Sequence, residues 1–130
     1  MPAYFKINKE RQLVISTFSG EFTLEDGFAH QEKLLKDPNF LPTFSQLLDC
    51  TQVTKVAAGI DDIRRLAQRS IFSNDARRSI LVHGDVANGF ARTFMAIRES
   101  LGEKGIRVFQ ELDEALFWLL DHHSTPSHPI

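Results

Sequence analysis

Residues 79–109, SILVHGDVANGFARTFMAIRESLGEKGIRVF, read as a strand, a helix and a second strand in succession. Ser79 to Val82 is the kind of continuous apolar run found where both faces of a sheet are covered. Phe90, Phe94, Ile97 and Leu101 then recur at i, i+4, i+7 and i+11, one face of a helix. Asp85 stands where a helix cap is expected, Gly102 and Gly105 are placed to end the helix, and Ile106 to Phe109 is the closing strand. Gly89 is read as making room where the helix packs on the sheet. Two strands joined through a helix by short connections form a right-handed crossover and run parallel.

Toward the N-terminus, Tyr4 to Asn8 and Gln12 to Ser19 are strand-like and form a hairpin through the polar turn Asn8-Lys9-Glu10-Arg11. Gly20 is read as the end of the second run. Thr23-Leu24-Glu25-Asp26 opens a helix as a near capping box, with aspartate where glutamate is usual. Leu24, Phe28, Leu34 and Leu35 fall near one face of it, and Asp37-Pro38 stops it. Phe44 to Asp49 is a short strand, and a linker runs on through Gly59. In the helix that follows, Ile60, Ile63, Leu66 and Ala67 make the buried stripe, and Arg64, Arg65 and Arg69 the outer face. A last helix from about Asp113 to Leu120 carries Glu111, Asp113 and Glu114 at its positive end. The order β-β-α-β-α-β-α-β-α predicts an α/β fold with a mixed, mostly parallel five-stranded sheet and four helices. Residues 1–123 are read as one domain and 124–130 as a flexible tail.

Composition narrows the functional classes. The 130 residues carry 15 Lys and Arg against 17 Asp and Glu, a net charge of -2, and 42% are hydrophobic. A disordered chain, a coiled-coil rod and nucleic-acid binding through bulk positive charge are excluded. A single cysteine, Cys50, excludes an internal disulfide and a cysteine-built zinc site. No stretch approaches the ~18 apolar residues of a transmembrane helix, and the start has neither a basic leader nor an apolar one, so a cytoplasmic location is expected. No Walker, Rossmann, zincin or nucleophile-elbow motif occurs, and no cofactor is expected.

The hairpin ending in Phe18-Ser19-Gly20-Glu21-Phe22-Thr23, the Asp37-Pro38-Asn39-Phe40 turn, the strand ending Leu47-Leu48-Asp49 and the closing run Val108 to Leu119 together resemble the SpoIIAA-like family. These are small bacterial proteins related to the STAS domains of anti-anti-sigma factors and anion transporters. The resemblance spans about Tyr4 to Leu120 and implies a STAS-like fold in a regulatory interaction module, with a protein partner or a second copy of itself. It also implies a phosphorylatable serine at the start of the second helix. Here that region reads Val56-Ala57-Ala58-Gly59-Ile60-Asp61 and has no hydroxyl; Thr51 and Thr54 lie upstream. A weaker resemblance to Sec14-like lipid-binding proteins implies that such a sheet can hold an apolar or acyl ligand against its helices.

Candidate chemistry follows from placement. The carboxyl edge of the sheet is expected to gather Asp49, Cys50 and Thr51 from one strand and His83, Gly84 and Asp85 from another. Together with Ala58 and Asp61 of the serine-free loop, Asp49, Thr51, His83 and Asp85 form the candidate surface for a partner or ligand. Cys50 and His83 are the residue types of a nucleophilic dyad, although no third orienting group stands out. His122, His123 and His128 make a histidine tract with weak metal affinity at most. Arg64, Arg65, Arg69, Arg77 and Arg78 form a basic cluster interspersed with Asp61, Asp62 and Asp75, which favours a solvated face over a nucleic-acid site. Eleven phenylalanines are unusual for this length. Phe28, Phe90, Phe94 and Phe109 fit the core by periodicity; Phe40, Phe44, Phe72, Phe117 and Trp118 are left for an interface or a pocket. Three readings result: a non-enzymatic interaction module, expected to be a homodimer, using the surface near Asp49 to Ile63 or the aromatic surface; a carrier of a small apolar or acyl ligand; and an enzyme using Cys50 and His83.

Overall fold

A computed structural model describes residues 3–124, with side chains through 120. Strands β1 (Ala3–Asn8) and β2 (Leu13–Thr23) lead to helix α1 (Leu24–Lys36), then β3 (Ser45–Ala57), α2 (Ile60–Gln68), β4 (Arg78–Leu81), α3 (Asp85–Ser100), β5 (Ile106–Phe109) and α4 (Leu112–Ser124). The sheet order is β1-β2-β3-β4-β5; β1 pairs antiparallel with β2, and the remaining pairs are parallel. The expected element order and the mixed, mostly parallel sheet with four helices are present. No helix among the described residues is long and apolar enough to cross a membrane.

Sequential strand order with right-handed crossovers puts α1, α2 and α3 on one face of the sheet. Alternation along the strands shows the two faces. Phe18, Cys50, Ile80, Val82 and Ile106 pack with α2 and α3 residues Ile63, Leu66, Ala87, Ala91 and Phe94. Leu13, Leu47 and Leu81 point the opposite way, onto Ala115 and Leu119 of α4. A third cluster closes one end of the first layer, where Val14, Leu34, Phe40, Phe44 and Phe72 meet.

Several details depart from the sequence reading. Gly20 does not end β2: it lies inside the strand at φ 71, between two register shifts, where the left-handed backbone lets pairing resume on the far side of a bulge. With β2 prolonged, β3 finds a partner as far as Ala57, so the expected linker after Asp49 is strand. Ile60 and Leu101, assigned to buried stripes, are 54% and 46% exposed, because each lies at a helix end beyond the sheet; Leu35 on α1 is also exposed. The cap of α3 is Gly84, with Asp85 the first helical residue and no side-chain cap bond. Gly89 is exposed with nothing near it; the close approach belongs to Gly27, where an added Cβ would meet Leu66 at 2.8 Å. The Thr23 capping box is as expected, its hydroxyl accepting from Asp26 N at 3.1 Å while the Asp26 carboxylate accepts from Thr23 N at 3.0 Å.

Candidate functional site

Between the three-helix layer and the sheet the packing is incomplete. A cavity of about 50 Å³ is lined by Phe18, Phe22, Leu48, Phe72, Phe90 and Phe94, with Leu66, Ile71 and Cys50 completing the apolar wall. Its polar lining is His30 and Gln31 from α1, Gln46 from β3, Arg69 after α2, Arg78 from β4 and Arg98 from α3. Five segments of the chain therefore contribute polar groups to one hollow. Phe72, set aside in the sequence reading for an interface or a pocket, lines it; Phe40 packs edge-on to Phe72 behind it, and Phe44 is buried in the same cluster. Phe117 alone among the phenylalanines is strongly exposed, at 70%.

A continuous polar chain lies under this aromatic lining. The Ser16 hydroxyl is 2.8 Å from His30 Nε2 and accepts from Gln46 Nε2 at 3.0 Å. Gln46 Oε1 in turn accepts from Arg78 Nη1 at 3.3 Å. Arg78 donates through Nε and Nη2 to both oxygens of Glu103, each at 2.8 Å, a bidentate pair. Arg98 Nε donates to the same carboxylate at 2.8 Å, and its terminal nitrogens donate to Ala67 O and Asn74 Oδ1. All three ions are nearly excluded from water. The Arg78 guanidinium also lies over the Phe72 ring, at 5.1 Å, and over the Phe94 ring, at 5.6 Å.

Burial sets the protonation states. Desolvation, helped by the nearby Lys33 charge, lowers the His30 pKa to about 4, so the imidazole is neutral at pH 7. Burial alone raises the pKa of Glu103, but the hydrogen bonds and charges of Arg78 and Arg98 outweigh it and hold the carboxyl below its ordinary range. Burial, with Asp49 adding to it, pushes the Cys50 thiol up to about 12. One buried acceptor has no partner among the described residues: Gln31 Oε1, whose amide nitrogen donates to Arg69 O at 2.9 Å.

Asp49, Thr51, Ala58, Asp61, His83 and Asp85, singled out from sequence, do not line this hollow; Asp49 pairs with Leu81 across the sheet, two residues before His83. Because the strand order never reverses, the sheet has no switch point at which a carboxyl-edge crevice would open. Asp49 is tied to Thr51, accepting from its backbone N–H at 2.9 Å and its hydroxyl at 2.7 Å. Ala58 packs against the main core, and Asp61 pairs with Arg64 on the exposed face of α2. His83 is exposed in the turn that follows β4, and Asp85 is exposed at the start of α3. Cys50 is buried as a thiol, the reverse of the exposed thiolate that a nucleophile requires. The basic cluster also divides: Arg64 and Arg65 are on the surface, Arg77 lies over the Trp118 ring at 4.5 Å, and Arg78 is buried. The side chains of His122, His123 and His128 lie outside the described residues.

Arg98 and Glu103 were not anticipated, nor was the burial of Arg78. The signal was there in period. Arg78, Ile80 and Val82 alternate onto one face of β4, and Ala87, Ala91, Phe94 and Arg98 form the buried stripe of α3.

No family model matches the sequence, and no curated protein does. Among solved structures, the chain is similar to an uncharacterised protein of the DUF3478 family from Shewanella loihica PV-4, described as having a SpoIIAA-like fold. The two superpose with a TM-score of 0.59 at 17% identity, over 90% of this chain and 93% of the other. At that identity the likeness concerns architecture, and it agrees with the strand order and helix placement above: the chain has a SpoIIAA-like fold.

Proposed function

We propose that the protein is a non-enzymatic binding module that holds a small, largely apolar molecule between its helices and sheet. One observation carries this reading: the interior is not closed-packed where α1, α2 and α3 meet the sheet, and the hollow is walled by five phenylalanines. Large aromatic side chains ordinarily fill a core of this size to crystal-like density, so an unfilled space among them marks a place kept for a guest. The neutral His30 and the protonated Cys50 supply neither a cation nor a nucleophile, which supports binding over covalent chemistry. Location in the cytoplasm fits the single thiol.

Native mass spectrometry of untagged protein, set against its denatured mass, tests the proposal. A reproducible adduct lost on denaturation is expected. The bare polypeptide mass in a stable dimer would instead support a protein-interaction module. That second reading draws on the exposed apolar residues Ile60, beside Asp61 on α2, and Phe117 on α4.

A further inference from the structure

We infer that the guest is a small organic monoanion, its carboxylate seated against Arg78 and its apolar body against the phenylalanines. This deepens the binding reading proposed above and depends on it. The inference rests on charge and donor count inside the cavity. Arg78 and Arg98 both line the hollow, while the single carboxylate that holds them, Glu103, is not part of the lining. Of the other ionisable groups around the cavity, Arg69 is paired with Glu32. His30 is neutral and Cys50 protonated at pH 7. The buried site therefore carries one positive charge more than its carboxylate cancels, and an unbalanced buried charge is costly unless a counter-charge joins it.

The donors agree with the charge. A guanidinium has five N–H groups. Arg78 commits one to each oxygen of Glu103 and one to Gln46, which leaves two without a partner among the described residues. A carboxylate accepts such a fork better than any neutral group does. Contacts with the Phe72 and Phe94 rings and the bidentate bond to Glu103 hold the Arg78 guanidinium in place before a guest arrives.

Size narrows the class further. At roughly 10–15 Å³ per water-sized position, a cavity of about 50 Å³ takes about four such positions. That suits a short-chain acid and excludes a long acyl chain held wholly inside. The half-buried Arg69 and Ile71 and the exposed Ser70 line the outer part of the hollow.

The test compares propionate with propionamide, which match in heavy-atom count and differ in charge. Each is titrated into the full chain and followed by ¹H–¹⁵N and methyl NMR of Leu48, Leu66 and the Arg78 side chain. The expected result is binding of propionate at least tenfold tighter than propionamide, with the Arg78 Nε resonance among those that move. Equal binding of both within the cavity overturns the anion inference and leaves the binding module standing. Failure of both to move any cavity resonance overturns the two together. Arg78→Met provides a second arm. It removes the surplus charge and leaves Arg98 paired with Glu103, so the preference for propionate over propionamide is expected to fall to parity. Retained preference in that variant would overturn the role of Arg78. If the variant does not fold, the comparison on the native chain decides alone.

Discussion

Arg78 and Glu103 are 25 residues apart in sequence and meet as a two-bond ion pair with both N···O distances at 2.8 Å, inside a layer of phenylalanine rings. Removing the carboxylate leaves two guanidiniums buried without a counter-charge. Glu103→Gln is expected to destabilise the fold by about 3–5 kcal/mol, read as a lower urea midpoint at an unchanged m-value. A triple replacement of Arg78, Arg98 and Glu103 by apolar residues is expected to be far milder, because it removes the charges together. A Glu103→Gln midpoint equal to that of the native chain would show that the pair contributes nothing.

Stability should fall as the pH drops from about 6.5 to about 4. His30 titrates near 6.5 when unfolded and near 4 when folded. Within that window the unfolded chain binds the extra proton and is favoured; above it both states are neutral and the effect vanishes. The full separation is worth about 3 kcal/mol. Urea midpoints at pH 7, 5.5 and 4.5 are expected to decline in the native chain and to decline much less in His30→Gln. Equal slopes in the two proteins would place the pH dependence elsewhere. Glu103, whose folded pKa is lowered, loses its contribution only as the pH falls below its ordinary range, beneath most of this interval.

Cys50 should resist modification. A buried thiol with its pKa near 12 presents almost no thiolate at pH 8. Iodoacetamide is expected to label the native protein only at the rate of global opening, and rapidly in urea. Stoichiometric labelling of the native chain within minutes would reopen the nucleophile reading.

Two sites on α1 test local sequence logic. Thr23→Ala deletes the capping hydroxyl and is expected to cost about 1 kcal/mol, with Thr23→Ser close to neutral.

Gly27→Ala places a Cβ 2.8 Å from a Leu66 methyl and 3.2 Å from the Phe22 ring. The overpacking is expected to cost about 1–3 kcal/mol and, since Gly27, Phe22 and Leu66 all line the hollow, to weaken binding of any guest there. A more stable variant would mean that the two helices have room to part.

Hydrophobic period and caps made the order of elements legible, because each is written within ten or so neighbouring residues. Thr23 and Asp26 are three residues apart, and Phe90 and Phe94 are one turn apart. Strand length was harder to read. Whether β3 stops at Asp49 or runs on to Ala57 depends on a partner 30 or more residues away, and β2 supplies it only because Gly20 carries the pairing past a bulge. The site was the least legible part. Charged residues are nearly always solvated, so Arg78 was placed with its surface neighbours. Only Glu103, from a loop beyond α3, makes its burial tolerable. The resemblance directed attention to the turn before α2, whereas the hollow is lined from the other end of that helix, by Leu66, Arg69 and Ser70, residues that carry no motif.

The shared carboxylate also bears on how the protein opens. Because Glu103 holds Arg78 of β4 and Arg98 of α3 at once, neither element can detach without stranding an ion from the other. Fraying of α3 alone is thereby disfavoured, and β4, α3 and the loop that follows them are expected to exchange their amide protons as one cooperative unit. The β2–β3 ribbon extends past β4 and is tied instead by the exposed Lys55–Glu21 pair and by Phe22 and Val53, which are buried in the main core.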